Sequence, residues 1–317
     1  MDLFNFTRQT EGLDNSLNLA MNYGLLPDRT PKTCIKCGKV GGLRWRKKSR
    51  TVNIPFMFVC VQRNCRATIS LSRNTLFEHL AFSLSQALRL IYLWLLKISV
   101  KETGSQLELA EVVVHDWFQF FREVCAFVII NYTKAIGGPG HVVEVNEQQL
   151  QNKGEEFYDL WMFAGIDRHT GQKFAIHVED LDCDTLLPIM KNYILPGTVV
   201  ITRNYKEYMK KDSDGSLTFV PRSKYPGSKG DNRIDGMWNA LTAYISNEMP
   251  NNDHSNKELY AYQFLYFHRD VIVDKPVSQL ISVFLNDVKQ VYPGFEKSDY
   301  ARLKDQKIQH KDETVLT

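Results

Sequence analysis

The residues best placed to do chemistry are two pairs of cysteines, Cys34-x2-Cys37 and, 22 residues further on, Cys60-x4-Cys65. Four thiolates suit a tetrahedral divalent cation, and a short-spaced pair puts two sulfurs on one side of the metal. The insert fits a hairpin. Gly38, Gly41 and Gly42 relax the first knuckle, and Leu43-Arg-Trp-Arg46 and Ile54-Pro-Phe-Met-Phe-Val-Cys60 read as two strands. The spacing predicts a zinc ribbon over residues 30–75 with structural Zn2+ on Cys34, Cys37, Cys60 and Cys65, against the other reading of two buried pairs of free thiols. Cys125 in an apolar helical pattern and Cys183 among acids are poor settings for a nucleophilic thiolate.

Charge gives this segment a second meaning. The chain carries a net +3, but residues 1–75 hold 13 Lys/Arg against 4 acids, so the basic excess of +9 lies there and the rest is −6. Arg44, Arg46, Lys47, Lys48 and Arg50 fall on or near the turn of the expected ribbon. Such a tip suits phosphate contact, because neutralising phosphates releases counterions. A solvated basic surface is the other reading, and Trp45 is expected in core packing rather than in base stacking. A second basic group, Arg222, Lys224, Lys229 and Arg233 with Gly227 and Gly230, reads as a flexible phosphate-contacting loop or as a solvated turn.

The elements that must position these groups change character along the chain. From Leu84 to Ile98 apolar residues recur every three or four positions, a helix face, and a short segment and a strongly apolar helix over 113–130 follow. That order suits a helix-turn-helix, and equally an all-helical packing unit. Gly137-Gly-Pro-Gly140 reads as a linker, because three glycines and a proline cannot continue a helix. Beyond it the pattern predicts three strands, then helix, strand, helix, strand, helix, the order of a ribonuclease-H-like domain. The expected division is an N-terminal extension (1–29), the ribbon (30–75), a helical unit (76–136), the linker (137–140), an α/β domain with a mixed sheet (141–280) and a C-terminal helix with a polar tail (281–317).

In sequence order, His141-Val-Val-Glu-Val-Asn-Glu147, Leu160-Trp-Met-Phe-Ala-Gly-Ile-Asp-Arg168, Thr185-Leu-Leu-Pro-Ile-Met-Lys-Asn-Tyr-Ile-Leu-Pro-Gly-Thr198, Tyr205-Lys-Glu-Tyr208 and Asn232-Arg-Ile-Asp-Gly-Met-Trp238 resemble the successive blocks of Merlin-type transposases and their bacterial insertion-sequence relatives. The ribbon and helical unit upstream resemble that family's N-terminal half, so the likeness covers roughly residues 30–275. It implies a DDE domain of ribonuclease-H-like fold. There, three acids hold two Mg2+ about 3.5 to 4 Å apart for in-line attack on a phosphate.

At the three acid positions this chain has Asn146, Arg203 and Asp235. Asparagine offers a neutral oxygen in place of a charge. A guanidinium about 4 Å from a divalent ion is repelled by about 8 kcal/mol at an effective dielectric of about 20. Glu144 shares a strand face with Asn146 and is the one auxiliary acid with suitable direction. Asp180, Asp182 and Asp184 precede a helix, where acids normally cap. Where the family continues with a basic loop after its first block, this chain has Gln148-Gln-Leu-Gln-Asn-Lys-Gly-Glu-Glu156.

The resemblance therefore implies a transposon-derived pseudoenzyme that binds DNA through its N-terminal half and uses no Mg2+. The other readings are an active metal-dependent strand-transfer enzyme, and a protein-interaction module without DNA binding. The family's need to bring two DNA ends together implies a homodimer. No stretch reaches the length and apolarity of a membrane span, no secretory pattern opens the sequence, and no small-molecule substrate is indicated. A DNA partner implies the nucleus. His115, His169, His177, His254 and His268 share no metal-ligand spacing and are expected as surface or core residues.

Overall fold

A computed structural model describes residues 2–48, 53–150, 160–224, 233–249 and 257–294, without the side chain of Lys224. Arg50, Lys229, Gly227, Gly230, Asn232 and residues 151–156 lie outside these residues. The chain forms two compact units, residues 1–118 with 274–317, and residues 119–273.

The first unit opens with α1 (Leu3–Gln9), started by the Asp2 side chain accepting from the Asn5 N–H, and α2 (Gly12–Asn22). Three antiparallel strands follow in the order β1 (Leu43–Lys47), β2 (Phe56–Cys60), β3 (Thr68–Ser70). Next come α3 (Leu84–Leu95), α4 (Val100–Leu107) and the start of α5 (Glu111–Tyr132). A capping box starts α3: Ser83 accepts from the Gln86 N–H, and the Gln86 side chain accepts from the Ser83 N–H. The core of this unit gathers Phe6, Leu17, Leu26, Leu88 and Ile91, all 1% exposed or less. Gly104 lets the turn from α4 into α5 close tightly, since a Cβ there would lie 2.9 Å from the Leu109 carbonyl oxygen.

The second unit contains the rest of α5, then β4 (Ile136–Gly137), β5 (Val142–Leu150), β6 (Leu160–Asp167) and β7 (Lys173–Val178). After these come α6 (Cys183–Tyr193), β8 (Ile194–Leu195), β9 (Val199–Thr202), α7 (Tyr205–Lys211) and β10 (Thr218–Pro221). A 3-10 turn (Arg222–Lys224), α8 (Arg233–Glu248) and α9 (Lys257–Phe267) complete the unit. The chain then returns to the first unit with α10 (Val277–Val291), where Phe284 packs with its ring centroid 4.9 Å from that of Trp94.

The sheet of the second unit is mixed. Its order is β10-β9-β5-β6-β7, with β5, β6 and β7 an antiparallel meander and β9 and β10 parallel to β5. One face carries Val143, Val145, Phe163 and Phe174 into a core with Leu186, Leu187 and Met190 of α6. The other carries Glu144, whose carboxylate meets the start of α8. Because helices cover both faces, β5 is buried at five consecutive residues and lacks the inside-outside alternation of a half-exposed strand. Asp182 caps α6 by accepting from the Thr185 N–H at 2.8 Å, the role expected for an acid at that place.

The glycine-rich segment expected as a linker is built into the second unit. Ile136 and Gly137 pair in parallel with Ile194 and Leu195, and the Gly138 N–H donates to Thr198 Oγ1 at 2.7 Å. The compact units divide instead within α5, after Phe118. An apolar helix gives no sequence signal for such a break.

Candidate functional site

The two cysteine pairs converge. Cys34 and Cys37 lie on a turn closed by the Gly38 N–H donating to the Cys34 carbonyl at 2.8 Å, and Gly38 takes a positive φ of 70°. Cys60 ends β2, and Cys65 sits on the turn closed by its N–H to the Gln62 carbonyl at 3.0 Å. The sulfurs of Cys34 and Cys65 are 3.7 Å apart, as are those of Cys37 and Cys60, and all four lie within 4.8 Å of one another. Tetrahedral zinc with bonds of about 2.3 Å needs sulfur separations of about 3.8 Å. The four cysteines are unlinked, so the cluster could hold a metal ion such as zinc.

Its thiols differ. The Cys37 N–H, helped by that of Lys36, holds the Cys34 thiol down at about 6. The Gln62 N–H favours the Cys60 thiolate, but desolvation and the three neighbouring sulfurs outweigh it and push that thiol up to about 12. Four adjacent thiolates repel one another, and a divalent cation at their centre supplies the missing positive charge.

The strands behind this cluster sort the basic residues. Arg44 and Arg46 are exposed on one face of β1, opposite Val59 and Met57 of β2. Lys47 is exposed, and Lys48 is half-buried with its Nζ 3.5 Å from Ser70 Oγ. Trp45 takes the packing role. Its ring stacks on Phe56 at 4.8 Å and meets Phe58 edge-on at 5.8 Å, with the Arg29 guanidinium 5.5 Å from its centroid.

In the second unit, the three positions compared with the family's acids sit around β5. Glu144 pairs with Ile201 of β9 in parallel register, and two residues further the same register would set Asn146 level with Arg203. Asn146 is 5% exposed, and its Oδ1 has no hydrogen-bond partner among the described residues. Arg203 is exposed just past β9. Glu144, with its side chain 4% exposed, takes the Arg168 guanidinium at 3.3 Å on Oε1 and the Ile234 N–H at 3.2 Å on Oε2. Asp235 accepts from Arg222 at 2.7 Å. Both carboxylates are thus engaged by arginines.

The sequence groups Arg222 and Arg233 in one basic loop. The structure puts the Arg222 guanidinium on Asp235 and leaves Arg233 exposed at the start of α8. Arg168 closes the block Leu160–Arg168, but no spacing names its partner; it follows Asp167 at the end of β6, beside the strand that carries Glu144. Cys125 and Cys183 are both buried, and burial raises the Cys183 thiol. Tyr260, Tyr262, Phe264 and Tyr266 are buried along α9.

The sequence matches no protein-family model and no curated protein. Among solved structures, it is similar to a chain in a cryo-EM structure of the simian T-cell lymphotropic virus intasome in complex with PP2A regulatory subunit B56 gamma. The identity is 13% and the TM-score 0.27, over 41% of this chain and 50% of that chain. The chain thus spans about half the length of that structural neighbour.

Proposed function

We propose that this protein is a transposase relative of Merlin type that binds DNA through its N-terminal ribbon and no longer cuts it. The ribbon would hold Zn2+ on Cys34, Cys37, Cys60 and Cys65. That ion would fix the two knuckles and with them the strand that carries Arg44 and Arg46. These guanidiniums are exposed on one face at alternate positions of β1, so they are available to successive phosphates. The end of the helical unit is a poorer candidate. Glu108, Glu111 and Asp116 are all exposed around the start of α5, where they would repel a DNA backbone.

The second unit is read as a ribonuclease-H-like scaffold. An antiparallel meander extended by two strands parallel to its first, with helices on both faces, supports that reading. Loss of cutting rests on one observation above the others. The two acids that remain near the family's metal positions, Glu144 and Asp235, are held by Arg168 and Arg222. A two-metal site needs anionic oxygens free to face cations, and each of these faces a cation that cannot be deprotonated. A homodimer and a nuclear location follow from the family reading alone.

The test is selection of duplexes from a random DNA pool by the zinc-loaded full chain at about 0.15 M salt, where weak non-specific binding is suppressed. The recovered duplex is then incubated with the protein and Mg2+ or Mn2+. The expected result is an enriched motif that stays intact. Failure to enrich any duplex contradicts the DNA-binding half, and metal-dependent cleavage contradicts the other.

A further inference from the structure

A second group of metal-ligating side chains lies in the second unit. His141 stands immediately before β5, Asp167 ends β6, and His169 lies in the turn that leads to β7. They are far apart in sequence. The antiparallel register, with Val143 opposite Asp167, brings them together. His141 Nδ1 is 2.7 Å from Asp167 Oδ2, and His169 Nδ1 is 3.7 Å from Asp167 Oδ1. One ligand atom from each of the three lies within 4.8 Å of the others.

The anchor of this group is rigid and its arms can turn. The Asp167 side chain is 0% exposed and accepts from the His169 N–H at 2.7 Å and the Thr170 N–H at 3.3 Å, which fixes it as an anion at the sheet end. The His141 backbone is tied on both sides, its N–H to Gly138 and its carbonyl to Val199. The imidazole rings of His141 and His169, by contrast, have side-chain exposures of 35% and 53% and stand with centroids 5.1 Å apart, tilted by 59°. Neither ring is packed into a core. Arg168, between Asp167 and His169, pairs with Glu144, its Nε 3.3 Å from Oε1.

We propose that His141, Asp167 and His169 form a surface site for a borderline divalent cation of the Zn2+ class. Two imidazoles and one carboxylate select Zn2+, Co2+, Ni2+ or Cu2+ over Mg2+ and Ca2+, which prefer all-oxygen shells. The ion takes the place of the proton that His141 Nδ1 shares with Asp167 Oδ2. Bonds of about 2.0 to 2.1 Å put tetrahedral ligands about 3.3 to 3.4 Å apart. The two exposed rings would turn to meet that spacing. Three protein ligands leave a coordination position to solvent or to a further ligand. This site is independent of the function proposed above.

The full chain, its four-cysteine cluster already loaded, is titrated with Zn2+ by calorimetry, and in parallel with Co2+ by absorption. A nitrogen and oxygen site gives cobalt ligand-field bands without the thiolate charge-transfer band of the cysteine cluster. The expected result is one further ion per chain, bound about tenfold or more weakly in His169→Ala and in His141→Ala. Since His169 is exposed, His169→Ala keeps the wild-type melting temperature before the further ion is added. No uptake beyond the cysteine cluster, or equal uptake by all three proteins, overturns the assignment.

Discussion

At the residue scale, the buried carboxylate of Glu144 ties the sheet to its surroundings, because its charge is met by Arg168 and by the Ile234 N–H. Removing the charge alone leaves the nearly buried Arg168 guanidinium and the Ile234 N–H facing a neutral amide in place of the Glu144 carboxylate. Glu144→Gln is therefore expected to destabilise the protein by about 3 kcal/mol, the usual scale for breaking one side of a buried pair. Denaturant unfolding measures it, and a loss below about 1 kcal/mol would show that solvent screens the pair. The same arrangement predicts that millimolar Mg2+ leaves the wild-type melting temperature unchanged, since binding to the native state alone would raise it. The grouping of the four cysteines is legible from spacing, because each knuckle is local. The pairing of Glu144 with Arg168 is only half legible: strand alternation places Glu144 on the face of Asn146, but no local pattern names a partner across a ladder. The His141, Asp167 and His169 group is invisible in the sequence for the same reason. Its members share no spacing until β5 and β6 pair.

At the element scale, two positions bear most directly on whether the sequence can take this form. Gly165 in β6 faces Phe174 of β7, and a Cβ built there would come 2.4 Å from the phenyl ring. Gly165→Ala forces that ring and its neighbours in the α6 core to move, at an expected cost of about 1 to 3 kcal/mol. Thermal unfolding checks it, and an unchanged midpoint would mean that Phe174 has room to turn. Ser83 is the corresponding test for α3. Its loss removes half of a capping box, so Ser83→Ala is expected to cost about 1 kcal/mol. The order of strands and helices after Gly140 is readable from periodicity and turn residues. Their boundaries are less so: β5 runs on through Gln148 and Gln149 to Leu150, and covered faces abolish the alternation that would mark its end. The glycine-rich stretch before it has the composition of a linker, but its carbonyls and N–H groups pair with β8 and Thr198. Glycine permits a tight path as readily as a flexible one.

At the scale of the whole molecule, a basic N-terminal part and an acidic remainder are the features that composition alone can supply. Under the proposed function, the basic ribbon would meet a polyanion and the α/β unit would not cut it. Metal removal addresses the first part. Chelation is expected to raise amide exchange sharply over β1, β2 and β3, while the sheet of the second unit keeps its protection, because the cluster closes only the ribbon. The most direct measurement is equilibrium binding of a DNA duplex by the zinc-loaded chain across a series of salt concentrations, for wild type and for the double variant Arg44→Ala, Arg46→Ala. Affinity that falls steeply with salt is expected in the wild type. Weaker binding is expected in the variant, with the log-log slope shallower by about 2, since each phosphate left without its arginine removes about 0.9 from the slope. Salt-insensitive binding, no binding, or an identical slope in the variant would contradict a DNA-binding ribbon.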